Sequence, residues 1–176
     1  MRIAQSLFAL TLLVMPHVAA ADVIDRAPTG FTTRTVVTIA AAPDRVYQSL
    51  LGIADWWNPE HTYSGKSANL RLDAKPGGCF CETLPNGGGI EHAVVVYVDP
   101  GRVLRLRGAL GPLQQLGVAG SLTWTLEAAG TGTTATVTYA VGGYAAGGLD
   151  GLATIVDEVI ADQLRRLKSA IEQPRR

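Results

Sequence analysis

Cysteine, net charge and long apolar runs are all scarce in this 176-residue chain, and each scarcity closes off a class of protein. Two cysteines, Cys79 and Cys81, cannot make the multi-bridge framework of a small stapled domain. On one strand they would share a face, with parallel Cβ vectors and Cα atoms near the limit of about 7 Å, so they are expected to stay unbridged as buried thiols. Lysine plus arginine balance aspartate plus glutamate at 15 each, and only the final Arg175 and Arg176 concentrate positive charge, so nucleic acid is not an expected partner. No apolar run reaches the roughly 20 residues that span a hydrocarbon core of about 30 Å, which argues against a permanent membrane anchor. Serine-protease-like triads, phosphate loops and dinucleotide fingerprints are absent as well. No cofactor is expected.

What is present begins with an export pattern. Arg2, the mainly apolar run from Ile3 to Met15, interrupted by Gln5 and Ser6, and the small residues from Val18 to Ala21 form the three parts of a secretory signal. Residues 1–21 are expected to be removed after Ala20 or Ala21, and no cysteine lies there to carry a lipid. The mature protein is therefore expected in the periplasm or the medium. About 155 residues then remain, enough to bury roughly 70% of the unfolded surface in one core. Residues 22–30 lack periodicity and read as a flexible leader to a single domain over 31–173.

Within that domain, Phe31 to Ile39 is rich in Thr and Val and reads as a strand. Ala42-Pro43-Asp44 opens a helix carrying Val46, Tyr47, Leu50 and Leu51, and Asp55-Trp56-Trp57 sits on a second short helix before Asn58-Pro59. From Asn69 onward, clusters of Gly and Pro cut the chain into strands of an antiparallel meander. Leu122, Trp124 and Leu126 alternate with threonines, as do Ala135, Val137, Tyr139 and Val141, so each strand has one apolar face. A long helix from about Leu149 to Glu172 carries the stripe Leu149, Leu152, Val156, Ile160, Leu164 or Gln163, Leu167 and Ile171. Only the sheet can cover that stripe, which gives an α+β domain.

Ala42-Pro43-Asp44-Arg45-Val46-Tyr47, then Trp56-Trp57, Pro76-Gly77-Gly78-Cys79-Phe80-Cys81-Glu82, Val98-Asp99-Pro100-Gly101 with Leu104 and Leu106, and Gly132-Thr133-Thr134 follow one another in an order that resembles the START-like (SRPBCC) superfamily. The nearest branches are the polyketide cyclase-like and heat-shock ATPase activator-like ones, and the likeness runs from Phe31 to Glu172. It implies a helix-grip fold, a curved antiparallel sheet wrapped around the C-terminal helix, with a hydrophobic ligand cavity between them. The residues alone do not separate a cavity from a filled core, since both give the same apolar pattern.

One hairpin supplies the most informative polar pair. If Leu84 pairs with Ile90 across Pro85-Asn86-Gly87-Gly88-Gly89, Glu82 faces His92, and one face reads Phe80, Glu82, Leu84, Ile90, His92, Val94, Val96. Burial and mutual attraction oppose each other there, so both groups are expected to titrate near neutrality, suited to proton transfer or to holding a polar ligand group. A structurally satisfied pair is the alternative. Cys79, Cys81, Glu82 and His92 are all metal-ligand types, but the cysteines point away from the other two and Cys-x-Cys lacks a second pair, so no metal site is expected. Trp56 and Trp57 close the core or line a cavity mouth, His61 and Tyr63 lie in a loop that is a lid or plain surface, and Arg105 and Arg107 share the outer face of the sheet. A pocket under the long helix would be lined by Glu82, His92, Trp56, Trp57, Phe80, Val94, Trp124, Tyr139, Tyr144, Val156 and Ile160.

The favoured function is an exported binder of a small hydrophobic molecule or lipid. A cyclase or hydro-lyase type enzyme with Glu82 and His92 as acid and base is the first alternative, and a protein-interaction module is the second. The sequence sets no oligomeric state.

Overall fold

A computed structural model describes residues 20–173. The expected signal segment lies outside the described residues except for Ala20 and Ala21, which begin the first strand. One antiparallel sheet runs through the domain in the order β1-β2-β8-β7-β6-β5-β4-β3. Its strands are β1 (Ala20–Ala27), β2 (Gly30–Ile39), β3 (Leu70–Leu72), β4 (Cys79–Thr83), β5 (Gly89–Asp99), β6 (Val103–Arg107), β7 (Gly117–Ala129) and β8 (Gly132–Tyr144). Helix α1 (Pro43–Leu51) and a set of short 3₁₀ turns follow β2, and α2 (Ala153–Glu172) closes the described chain. The sheet curves around α2 as a helix-grip α+β fold. Among the described residues no helix is long and apolar enough to cross a membrane.

The expected leader is a strand instead. Residues 22–27 belong to β1, which pairs with β2 from Ala20↔Val36 to Ala27↔Gly30. Its described side chains are exposed apart from half-buried Val23. Backbone hydrogen bonds hold an edge strand of this kind without an apolar face, and a register shift between Val23 and Asp25 disrupts what alternation remains. Hence the period-two signal is missing.

Elsewhere the patterns fall as the residues dictate. Strand β2 alternates, with Phe31, Thr33, Thr35, Val37 and Ile39 buried. Helix α1 starts on Pro43, whose missing N–H costs nothing in the first turn, and buries Val46, Tyr47 and Leu50. Leu104 and Leu106 on β6, Leu122, Trp124 and Leu126 on β7, and Ala135, Val137 and Tyr139 on β8 complete the sheet's apolar face. Arg105 and Arg107 lie exposed on the other side. Helix α2 packs chiefly on β2. Its C-terminal end is fixed by polar contacts: Arg45 Nη2 donates to Ile171 O at 3.2 Å, Ala40 N–H donates to Glu172 Oε1 at 2.8 Å, and Lys168 Nζ donates to Thr38 O.

The stripe on α2 is not uniformly covered. Ile160, Leu164, Leu167 and Ile171 are buried, each stabilising the fold by about 1.5–3 kcal/mol. Leu152 and Val156 are only half-buried.

Candidate functional site

The hairpin between β4 and β5 builds the site, in a register two residues from the expected one. Glu82 pairs with Ile90 and Thr83 with Gly89, beyond which Leu84 and a 3₁₀ turn at Pro85–Gly87 form the loop. Cys81 pairs with Glu91 and Phe80 with Ala93, leaving His92 as an unpaired bulge residue. The bulge puts His92 and Ala93 inside consecutively, so the alternation changes phase. Val95, rather than Val94 or Val96, is then fully buried on the inner face. The expected placement of Val94 and Val96 beside His92 is thereby corrected: Val94 is half-buried and Val96 exposed.

The expectation for the cysteines is corrected as well. At the shift between Phe80 and Cys81 the strand bends, bringing the Cα atoms of Cys79 and Cys81 to 5.3 Å, and the two are joined by a disulfide. A straight strand would have held them near the limit of about 7 Å.

Despite the altered register, Glu82 and His92 meet. His92 Nε2 lies 3.0 Å from Glu82 Oε2, with both side chains buried. Glu82 also accepts the backbone N–H groups of Tyr63 at 3.0 Å and Ser64 at 2.5 Å, so the loop after Asn58 is clasped to β4. Burial pushes the Glu82 carboxyl up, but the hydrogen bonds from Ser64, Tyr63 and His92 outweigh it and hold the group below its ordinary value. Burial lowers His92, and its bond to Glu82 offsets that only in part. The pair is therefore carboxylate and neutral imidazole at neutral pH, not two groups titrating there. A carboxylate only accepts, so His92 Nε2 carries the proton and Nδ1 is a bare acceptor with no protein partner among the described residues.

A second polar cluster anchors the facing loop to α2. Asn58 N–H donates to Gln163 Oε1 at 2.9 Å, and Gln163 Nε2 donates to His61 Nδ1 at 2.8 Å, which leaves the His61 proton on Nε2. Asn58 Nδ2 donates to Asp162 Oδ2 at 2.8 Å. Gln163 is fully buried within an apolar stripe. A buried amide needs partners, and that need was the signal in the sequence that a loop docks on this side of the helix.

Between loop, sheet and helix lies a cavity of about 1110 Å³. Helix α2 lines it with Ile155, Val156, Val159 and Ile160, and the turn before it with Leu152; the sheet with Phe80, His92 and Tyr139; and the loop with Trp57 and residues 60–63. The fourth wall is the segment from Leu110 to Leu116. Its apolar residues Leu110, Leu113 and Leu116 stand in a loop among Gly111, Pro112 and Gly117, where the sequence reads only as a strand boundary. Tyr139 holds this wall in place: its hydroxyl donates to Gly108 O at 3.0 Å and accepts Leu110 N–H at 2.9 Å. Gly120 makes room for it, since a Cβ there would lie 2.8 Å from the Tyr139 hydroxyl. The volume lies just above the range of small-molecule sites, roughly 300–1,000 Å³.

Of the expected pocket residues, Trp57, Phe80, His92, Tyr139, Val156 and Ile160 line the cavity. The others do not. Trp56 and Trp124 pack edge to face in the core with ring centroids 5.9 Å apart, Glu82 stands behind His92, Val94 is turned away, and Tyr144 is 75% exposed at the end of β8.

A family model described as polyketide cyclase / dehydrase and lipid transport matches residues 30–172. No curated protein matches. Among solved structures, CalU16 from Micromonospora echinospora is 14% identical with a TM-score of 0.61, over 90% of this chain and 88% of that one. DynU16, from the dynemicin biosynthetic locus, is 20% identical with a TM-score of 0.59, over 81% of this chain and 47% of its own. Protein CV1439 from Chromobacterium violaceum is 19% identical with a TM-score of 0.56, over 81% and 98%. At these identities the structures share the fold alone.

Proposed function

The chain belongs to the polyketide cyclase / dehydrase and lipid transport family, of the START-like (SRPBCC) type, and from that premise we propose that it binds a small hydrophobic molecule in the cavity under α2. The observation that carries this reading is the cavity itself: about 1110 Å³, walled mainly by apolar side chains, with the unpartnered Nδ1 of His92 among its few polar groups. Apolar walls supply affinity in proportion to the surface they dehydrate, and a sparse set of polar groups sets orientation. The N-terminal pattern from Arg2 to Ala21 supports binding outside the cytoplasm as part of the same proposal.

Acid–base chemistry is the second reading, and one observation favours it. Glu82 orients His92 and keeps its Nδ1 unprotonated on a residue that lines the cavity, an arrangement suited to a general base. In that reading His92 alone meets the substrate, with Glu82 as its positioning partner.

Native mass spectrometry of protein purified from its host's exported fraction tests the binding reading. It expects an added mass of a few hundred daltons that is lost on denaturation. Bare protein that also takes up no hydrophobic probe would overturn it.

A further inference from the structure

Resting on the cavity being a ligand site, we infer that its ligand is an apolar molecule whose polar group is an amine, and that fatty-acid-like anions are rejected. The argument is an inventory of what the walls leave unspent. The Trp57 indole N–H donates to His61 O, the Tyr63 hydroxyl to Gly111 O, the Thr62 hydroxyl to Pro59 O and the Tyr139 hydroxyl to Gly108 O. Each of those donors is used within the protein.

The unspent groups are mostly acceptors. His92 is 5% exposed, lines the cavity and has no protein partner at Nδ1. Glu60, on the 3₁₀ turn Pro59–His61, and Glu158, on α2, also line the cavity, and neither is in an ion pair with a described residue. No lysine or arginine lines it among the described residues. Of the basic residues further along α2, Arg165 and Arg166 are paired with Asp162, and Lys168 with Glu172. Among the described side chains that line the cavity, the remaining free donors are His61 Nε2 and the amide of exposed Gln115. A carboxylate or phosphate entering this site would bring only acceptors to two carboxylates with no cation to answer it. An ammonium would find two charges and a bare imidazole nitrogen in a cavity that Trp57 and Tyr63 also line.

Three probes with one apolar body separate the possibilities: 1-naphthylmethylamine, 1-naphthalenemethanol and 1-naphthoate, each titrated at pH 7.5 and low salt by calorimetry. The amine is expected to bind about tenfold more tightly than the carboxylate, the sum of two weakly screened surface charges, with the alcohol between them. Glu60→Gln with Glu158→Gln should bring the ratio close to one without lowering the urea midpoint, since both side chains are exposed and outside the core. Carboxylate binding equal to or tighter than amine binding would overturn the inference. So would a ratio that survives in the double variant. If none of the three binds, the cavity is not a ligand site and both this inference and the binding reading fall. Tight alcohol binding with no preference for charge removes only the inference.

Discussion

From Ala161 to Ile171, α2 sets Leu164, Leu167 and Ile171 against the sheet at no more than 5% exposure, while from Ala153 to Ile160 the same stripe leaves Val156 half-buried over a cavity, with its neighbour Ile155 60% exposed. The two halves are continuous in sequence and alike in periodicity. They differ in what opposes them. Below the C-terminal half, β2 and α1 come close, and the contacts of Arg45, Lys168 and Glu172 tie the helix end to the chain around Thr38 and Ala40. Below the N-terminal half, Tyr139 spends its hydroxyl holding Gly108 and Leu110, and the segment from Leu110 to Leu116 forms a wall of the cavity. Gln163 sits at the junction and fastens the loop at Asn58 and His61 over the opening. Amphipathic periodicity thus reports which face of a helix is turned inward, and not whether the space it faces is filled.

The contrast can be broken most forcefully from the filled side. Leu164→Ala should cost about 2–5 kcal/mol, because its surroundings are too constrained to collapse, whereas Val156→Ala should cost less than about 1 kcal/mol. Urea midpoints at unchanged m-values check this. Equal losses would mean that the two halves are packed alike.

Next in size is the wall of the cavity. Burial pushes the Tyr139 hydroxyl up to about 12 from an ordinary value of 10.0. A raised folded value means that the native state keeps its proton longer than the unfolded chain. Its stabilisation is fully present below pH 10 and is lost as pH rises through about 12, a loss of roughly 2–3 kcal/mol. Tyr47 is raised as well and acts with the same sign, so Tyr139→Phe should make the alkaline fall in stability shallower without abolishing it.

At the acid end the effect is smaller and belongs to the Glu82–His92 pair. Both are held below their ordinary values of 4.5 and 6.5, so each contributes stability that is present above its unfolded value and lost as pH falls through the folded one. Titration of the His92 ring by NMR should give a midpoint below 6.5 in the parent protein and lower still in Glu82→Gln, where the attraction for the protonated ring is gone. A midpoint at or above 6.5 would contradict the assignment of a neutral imidazole.

Much of this architecture was legible in the chain. The strands from Phe31 onward, the helix starting at Pro43 and the stripe from Leu149 to Ile171 announce themselves because each buries one face, and burial is what hydrophobic periodicity encodes. Strand β1 was hidden for the converse reason: it buries almost nothing, and backbone pairing leaves no mark on side-chain choice. The bulge at His92 was equally invisible, and its effects spread. It turned Val94 off the inner face, yet Glu82 and His92 still meet, because both side chains point inward and His92 lies only two residues along β5 from the partner of Glu82. The cavity's fourth wall leaves no pattern in the sequence, because Leu110, Leu113 and Leu116 stand between glycines and a proline that mark a loop, where apolar residues carry no period.

Filling the open half tests the central claim most directly. Val156→Phe projects a ring into the cavity and should leave the urea midpoint nearly unchanged while abolishing saturable binding of a neutral naphthyl probe that the parent protein takes up one to one. A variant that still binds the probe as the parent does, or that unfolds as readily as Leu164→Ala, would show that no ligand space exists beneath the N-terminal half of α2.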